Sequence, residues 1–347
     1  MEKIIRLLLL SSLFCSASFS GIKTAAYWTC PIMSMKQAET LSKYDLAIVD
    51  LENMRNNRQA LARMKVLNPE VKLICYSNPI EIFSSAMSRR SLQNEWSELL
   101  NKHYPFWLLE TDRGNSAVFY PGMRLVNISS ACPQVKGQNY GDWMASFLLQ
   151  NVLSDTIWDG YFMDNGGGNI SWTRDGKSAK IDIFNSSMAV VDPLTDESWS
   201  EGVHNFLKKI RMAKGKKFII LANKGSVEFM DVLDGRMFEG FPCDYLGDDK
   251  RDGGWWQSMK NAVRTGKYTI FQAGKDSEFV LASALLIDAY TAVGQDNENY
   301  PADLFQDELG QAIGRMEILV GGICQRRFQN GYVTVIPSRR EGKITLY

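Results

Sequence analysis

Histidine is scarce in this chain: 347 residues include two, His103 and His204, in unlike surroundings. That excludes a metal site built from several histidines and leaves few candidates for a Ser-His-Asp triad. An excess of one charge is missing too. Lysine plus arginine number 39 and aspartate plus glutamate 39, so the net charge is zero. No basic excess marks a nucleic-acid partner. Cysteines are few and scattered. Beyond Cys15 there are Cys30, Cys75, Cys132, Cys243 and Cys324, with no C-x-x-C pair, so neither zinc spacing nor a dense disulfide framework is present. An oxidising compartment would admit one or two bridges and leave a thiol over. Cys75, inside an apolar run, is expected to be buried. No G-x-G-x-x-G and no phosphate loop follows the first β-like run. No cofactor and no resident metal are expected.

What is present is an ordinary globular balance, 45% apolar and 22% charged. It excludes a disordered tail protein, a collagen-like fibre and a multi-span membrane protein. Residues 1–20 read as a secretory signal peptide: Lys3 and Arg6, then apolar Leu7–Phe14, then Ser18 and Ser20 at cleavage-site spacing. The apolar stretch is too short to span a bilayer. The mature protein is therefore expected to be secreted or periplasmic, with no membrane attachment once the signal is removed.

Short β-rich runs then alternate with helical periodicity. The runs are Ile22–Trp28, Tyr44–Leu51, Val71–Tyr76, Trp158–Asp164, Lys217–Ala222, Gly235–Phe241, Lys267–Gln272 and a weaker Ala289–Val293. Helical segments fall at Arg58–Leu67, Tyr140–Leu153, Glu201–Ala213, Trp255–Arg264 and Ser277–Leu286, with a short helix expected before the sixth run. Phe106–Glu110 and Ala117–Tyr120 flank a turn and read as a hairpin. Eight such units predict the α/β class and a closed (β/α)8 TIM barrel over residues 21–316. Residues 317–347 change character. Gly322–Phe328, the turn Gln329-Asn330-Gly331 and Tyr332–Ile336 predict a small C-terminal β appendage packed on the barrel, and Lys343–Tyr347 can add a strand to it.

In a parallel barrel the active site lies where strands end. Nearly every run here stops on a polar residue: Asp50, Asn78, Asp164-Asn165, Asn223-Lys224, Glu239 and Gln272. Asp164 and Glu239 sit in glycine-containing turns, DGYFMDNGGG and GRMFEGFP. Two carboxylates facing across a pocket are what glycoside hydrolysis needs, one protonated for the leaving oxygen and one ionised for the anomeric carbon or for water. An ordinary ion pair with Lys224 is the plainer reading of either.

Asn78, Asn165 and Asn223 are candidate partners for sugar hydroxyls, and Gln272 joins the substrate-binding set. Asp50 either binds a sugar hydroxyl or caps the next loop. Lys224 either lowers a neighbouring carboxylate's pKa or holds an anionic substituent. Trp28, Trp172, Trp255 and Trp256 are candidate sugar platforms, with a core role expected for at least one of the last two. Neither histidine is given a role.

The segments YDLAIVDLEN, NPEVKLICYSNP, WDGYFMDNGGG, ILANKG and MFEGFP together resemble the glycoside-hydrolase-like barrels of hypothetical glycoside hydrolase family fifteen. They are more distantly similar to endo-α-1,4-polygalactosaminidase-type barrels. The C-terminal RRFQNGYVTVIP is similar to the β segment that follows such barrels, with Ile336 where Val-Asn-Pro is common. The resemblance spans roughly residues 22–345. It implies a glycosidase acting on a carbohydrate substrate, with Asp164 as nucleophile and Glu239 as general acid/base. Two other readings stand beside it: a carbohydrate-binding barrel without catalysis, and a metal-assisted hydrolase with Asp50, Asp164 and Glu239 around a divalent cation.

Overall fold

The computed structural model describes residues 22–111, 113–170, 181–183, 193–246, 249–274, 276–296 and 309–347. Residues 1–20, expected to be a signal peptide, and Trp172 lie outside the described residues.

Eight parallel strands close into a barrel: β1 Thr24–Trp28, β2 Leu46–Asp50, β3 Lys72–Ser77, β4 Gly160–Met163, β5 Ile219–Asn223, β6 Gly235–Phe241, β7 Ile270–Ala273 and β8 Tyr290–Val293. Each pairs with its neighbours in chain order, and β1 pairs with β8 to shut the ring. Among the described residues the longer helices between them are α1 Met35–Leu41, α2 Arg58–Leu67, α3 Ser91–His103, α4 Tyr140–Asn151, α5 Pro193–Lys214, α6 Trp255–Ala262 and α7 Ser277–Leu285. This is the (β/α)8 TIM barrel.

Two local expectations fail. The short helix before β6 is absent: residues 224–234 form turns, and Arg236 ties that link down by donating to the carbonyls of Lys224 and Glu228. The hairpin at Phe106–Tyr120 is reduced to a bridge between Glu110 and Ser116, because Leu125 and its neighbours compete for the same backbone groups. Met123–Leu125 pairs instead with a short strand, Glu81–Phe83, just beyond β3.

Side chains on a strand alternate between faces, and this period decides what enters the barrel. Ala25, Tyr27, Leu46, Ile48, Ile74, Phe162, Ile219, Leu221, Met237, Ile270, Tyr290 and Ala292 form the interior cluster. Their alternates, such as Ala26, Trp28, Ala47, Val49 and Cys75, face the helices. A residue two positions beyond an interior one therefore points toward the mouth.

The seam between β8 and β1 is clasped just above the strands. Asp296 accepts from the backbone N–H of Cys30 at 3.0 Å and from the hydroxyl of Thr29. A four-stranded antiparallel sheet, β9 Glu317–Ile318, β10 Cys324–Phe328, β11 Gly331–Ile336 and β12 Glu341–Leu346, packs on α7. Phe328 stands opposite Gly331 across the turn. Cys324, Phe328, Val333 and Val335 share one apolar cluster with Phe279, Leu281 and Trp255. Arg326 adds an ion pair to Asp288 at 2.8 Å.

Candidate active site

Interior periodicity assembles the site. Tyr76, Asp164, Asn223 and Glu239 lie two positions beyond the interior residues Ile74, Phe162, Leu221 and Met237, so all four turn toward the mouth. They meet there. Asp164 accepts from the hydroxyl of Tyr76 at 2.6 Å through Oδ2, and from the backbone N–H of Asn165 at 2.8 Å through Oδ1. Asn223 donates from Nδ2 to Oδ1 of Asp164 at 2.9 Å and, from the same nitrogen, to Oε2 of Glu239.

The orientation of the Asn223 amide follows from its backbone. Its Oδ1 accepts the N–H of Lys224 at 2.7 Å, so the NH2 is left for the two carboxylates. Asn165 and Lys224, the residues just after these strand ends, both have left-handed backbone, with φ of 51° and 85°. For lysine that conformation is costly and is held by the surroundings. Part of the holding is Arg236. Its fully buried guanidinium donates to the carbonyls of Gly166 and Asn223 as well as to those of Lys224 and Glu228. The glycines after Asp164 permit the close approach. A Cβ on Gly166 would sit 2.7 Å from Cβ of Ala222, and one on Gly167 would sit 2.4 Å from the Lys224 side chain.

Above Glu239 opens a cavity of about 530 Å³ lined by Phe119, Tyr120, Asn165, Asn169, Asn223, Lys224, Glu239, Gly240 and Tyr245, with Asp164 buried just behind it on Asn223. Glu239 is reachable from this cavity. Protein packed around its other sides, and then the charge of Asp164, push its pKa up, while the Asn223 hydrogen bond pulls it down. The Tyr120 phenol is pushed up to about 12 by burial and by the charges of Asp164 and Glu239. Burial holds the Lys224 ammonium below its ordinary value. That ammonium donates to Oδ1 of Asn169 at 2.5 Å. Among the described residues Lys224 forms no ion pair with Asp164 or Glu239, so the plainer ion-pair reading lacks support.

Several other sequence candidates stand elsewhere. Asp50 is fully buried: Arg90 pairs with it at 2.9 Å and its other oxygen accepts the N–H of Glu52, which is the loop-cap reading. Trp28 faces the helices, because its neighbour Tyr27 is the interior residue of β1. Trp255 is 0% exposed and donates to Ser283 in the core. Trp256 stacks edge-on against it at the surface of α6, with its N–H on Asp252, and is not among the cavity-lining residues. Gln272 is buried and accepts the N–H of Gly240, so it shapes the turn after Glu239 from below. Asn78 is buried and donates to Glu81 at 2.7 Å.

Burial of Asp50 under Arg90 also removes a ligand from the three-carboxylate metal reading. Among the described residues no group of three His, Cys, Asp or Glu side chains could hold a metal ion. The described cysteines are free thiols, with no bridge among them.

Sequence reasoning missed Tyr76, Glu81 and the aromatic walls Phe119, Tyr120 and Tyr245. Tyr76 had a signal, its spacing from Ile74. The walls had none beyond their aromatic character, since they come from loops.

The chain matches hypothetical glycosyl hydrolase family 15 over residues 65–332. No curated protein sequence matches it. Among solved structures it is similar to a noncanonic maltogenic α-amylase, AmyB, from Thermotoga neapolitana. Identity there is 9% and the TM-score 0.52, covering 92% of this chain and 86% of that one. It is also similar to a GH26-CBM35 β-(1,4)-mannanase from Podospora anserina, with 12% identity and a TM-score of 0.40 over 82% of this chain and 59% of that one. The amylase likeness, at such identity, is one of fold.

Proposed function

This chain belongs to hypothetical glycosyl hydrolase family 15, and we propose that it cleaves an extracellular polysaccharide or oligosaccharide by a retaining, two-carboxylate mechanism. The single observation that carries this reading is the shared nitrogen of Asn223, which donates to both Asp164 and Glu239. Two acceptors on one amide nitrogen, at ordinary hydrogen-bond lengths, have their nearest oxygens about 5 Å apart, which favours the shorter of the two carboxyl spacings that glycosidases use. Retaining enzymes hold their carboxyl groups at roughly 5–5.5 Å and inverting ones at roughly 6.5–9.5 Å.

Asp164, oriented by three donors, attacks the anomeric carbon. Glu239, whose raised pKa suits a proton donor, protonates the leaving oxygen. Glu239 then takes a proton from water, and that water releases the sugar from Asp164. Phe119, Tyr120 and Tyr245 offer ring faces to the apolar sides of sugar units. Asn165 and Asn169 offer hydroxyl partners.

Residues 1–20 carry the chain out of the cytoplasm on this reading. Burial pushes the Cys75, Cys132 and Cys243 thiols up, the last two to about 12, which makes them slow to oxidise there.

The test is a polysaccharide panel scored for new reducing ends with wild type, Asp164→Asn and Glu239→Gln, followed by NMR of the first product anomer. Loss of activity in both variants and a retained anomer are expected. Full activity in either variant, or an inverted product, would overturn the mechanism. Binding without cleavage by the wild type would move the protein to the carbohydrate-binding reading.

A further inference from the structure

Glu81 lies just past the end of β3 and is 1% exposed. Among the described residues neither of its oxygens pairs with an arginine or lysine. One accepts from Nδ2 of Asn78 at 2.7 Å. The other accepts the backbone N–H of Tyr120 at 3.2 Å. A buried carboxylate is an expensive way to stabilise a fold, since an apolar side chain of similar volume does as well or better. Its cost shows in a pKa pushed up to about 7 by burial, with the charge of Asp164 adding to the rise. The two hydrogen bonds show what it holds together: the end of β3 and the loop that carries Phe119 and Tyr120, two of the three aromatic walls of the cavity. Tyr120 is half exposed and packs edge-on against Phe119 at 4.4 Å, so its ring has little else to fix it.

We propose that Glu81 is a positioning residue for the substrate: it clasps the Phe119–Tyr120 lip to Asn78 and thereby fixes the aromatic wall on which a sugar unit rests. The inference deepens the glycosidase reading, because it assigns a residue that governs substrate grip without touching substrate. Reach matters in this role and charge does not. Glutamine keeps an acceptor for the Tyr120 N–H at the same distance, and once the Asn78 amide turns over, its NH2 meets Oδ1 of Asn78, a buried acceptor without a hydrogen-bond partner. Aspartate keeps the charge and falls one methylene short.

The experiment uses the full chain with Glu81→Gln, Glu81→Asp, Tyr120→Ala and the double variant Glu81→Asp/Tyr120→Ala. Hydrogen exchange at the residue 120 amide, measured without sugar, reads the clasp whether or not any carbohydrate is cleaved. Exchange is expected to quicken roughly tenfold in Glu81→Asp, the worth of one lost hydrogen bond, and to stay near wild type in Glu81→Gln. On the carbohydrate found active, Glu81→Asp should raise KM roughly tenfold at near-constant kcat, and the double variant should have the KM of Tyr120→Ala alone. Unchanged exchange in Glu81→Asp overturns the clasp. The reverse pattern, with Glu81→Gln impaired and Glu81→Asp normal, overturns it in favour of a charge effect on Asp164. A clasp confirmed by exchange with no carbohydrate cleaved would sink the glycosidase reading and the role toward substrate with it, and leave only the hold of Glu81 on the loop.

Discussion

The hydroxyl of Tyr76 donates to Oδ2 of Asp164 across 2.6 Å, from inside the barrel rather than from a loop. Tyr76 stacks on Phe162 and meets Tyr27 edge-on, so the donor is fixed by packing. Tyr76→Phe keeps the packing and removes the donor. A hydrogen bond to a charged group contributes about 1.5–3 kcal/mol, so kcat should fall roughly ten- to hundredfold with little change in KM. Steady-state kinetics check this, and an unchanged kcat would reduce Tyr76 to a packing residue.

Asn223 lowers the pKa of Glu239 through its hydrogen bond. In Asn223→Ala that bond is gone and the neutral acid persists to higher pH. The alkaline limb of the pH–rate profile, which reports a general acid, should therefore move upward while the maximum rate falls. A limb that stays or moves down would remove Glu239 from the acid role.

The tryptophans and tyrosines should separate cleanly. Trp255→Ala opens the shared core of α6, α7 and the C-terminal sheet and should cost about 3–5 kcal/mol of stability in denaturant titration. Tyr245→Ala, at a half-exposed cavity wall, should change stability by less than about 0.5 kcal/mol. It should instead weaken carbohydrate binding roughly tenfold. The opposite pattern would return the platform role to α6.

Glu81 also predicts a pH dependence of stability. Its folded-state pKa is raised to about 7 from 4.5, so between these values the folded chain binds more protons than the unfolded one. Its contribution is fully present below about pH 4.5 and is lost as pH rises through about 7. Glu81→Gln should flatten that part of the stability–pH curve relative to wild type by about 3 kcal/mol over the window. Unfolding free energies from urea titrations that change equally between pH 4.5 and 7.5 in wild type and Glu81→Gln would contradict it.

Most of the barrel was legible because each strand carries its own apolar run, and strand ends supplied Asp164, Asn223 and Glu239 directly. Trp28 shows what such signals leave out. Polarity or aromaticity near a strand end says that a side chain is close to the mouth, but period two decides whether it turns inward, and Trp28 turns outward. Trp255 had a helical signal of the same kind: with Met259 and Ala262 it marks the buried face of α6. Arg90 covering Asp50, and Glu81 reaching Tyr120, join residues 40 and 39 positions apart through loops. No local pattern announces such pairs.

The clasp of Asp296 on Thr29 joins residues 267 positions apart and marks where the ring shuts. Until β8 is available, β1 and the growing sheet present open edges, and those edges are templates for pairing with other chains. Bringing such distant segments together is slow, since loop-closure entropy is met before the new contacts repay it. Assembly of this barrel is therefore a race between ring closure and self-association. Because β8 is the stave that closes the ring, a truncation ahead of residue 290 should yield aggregates rather than a smaller barrel.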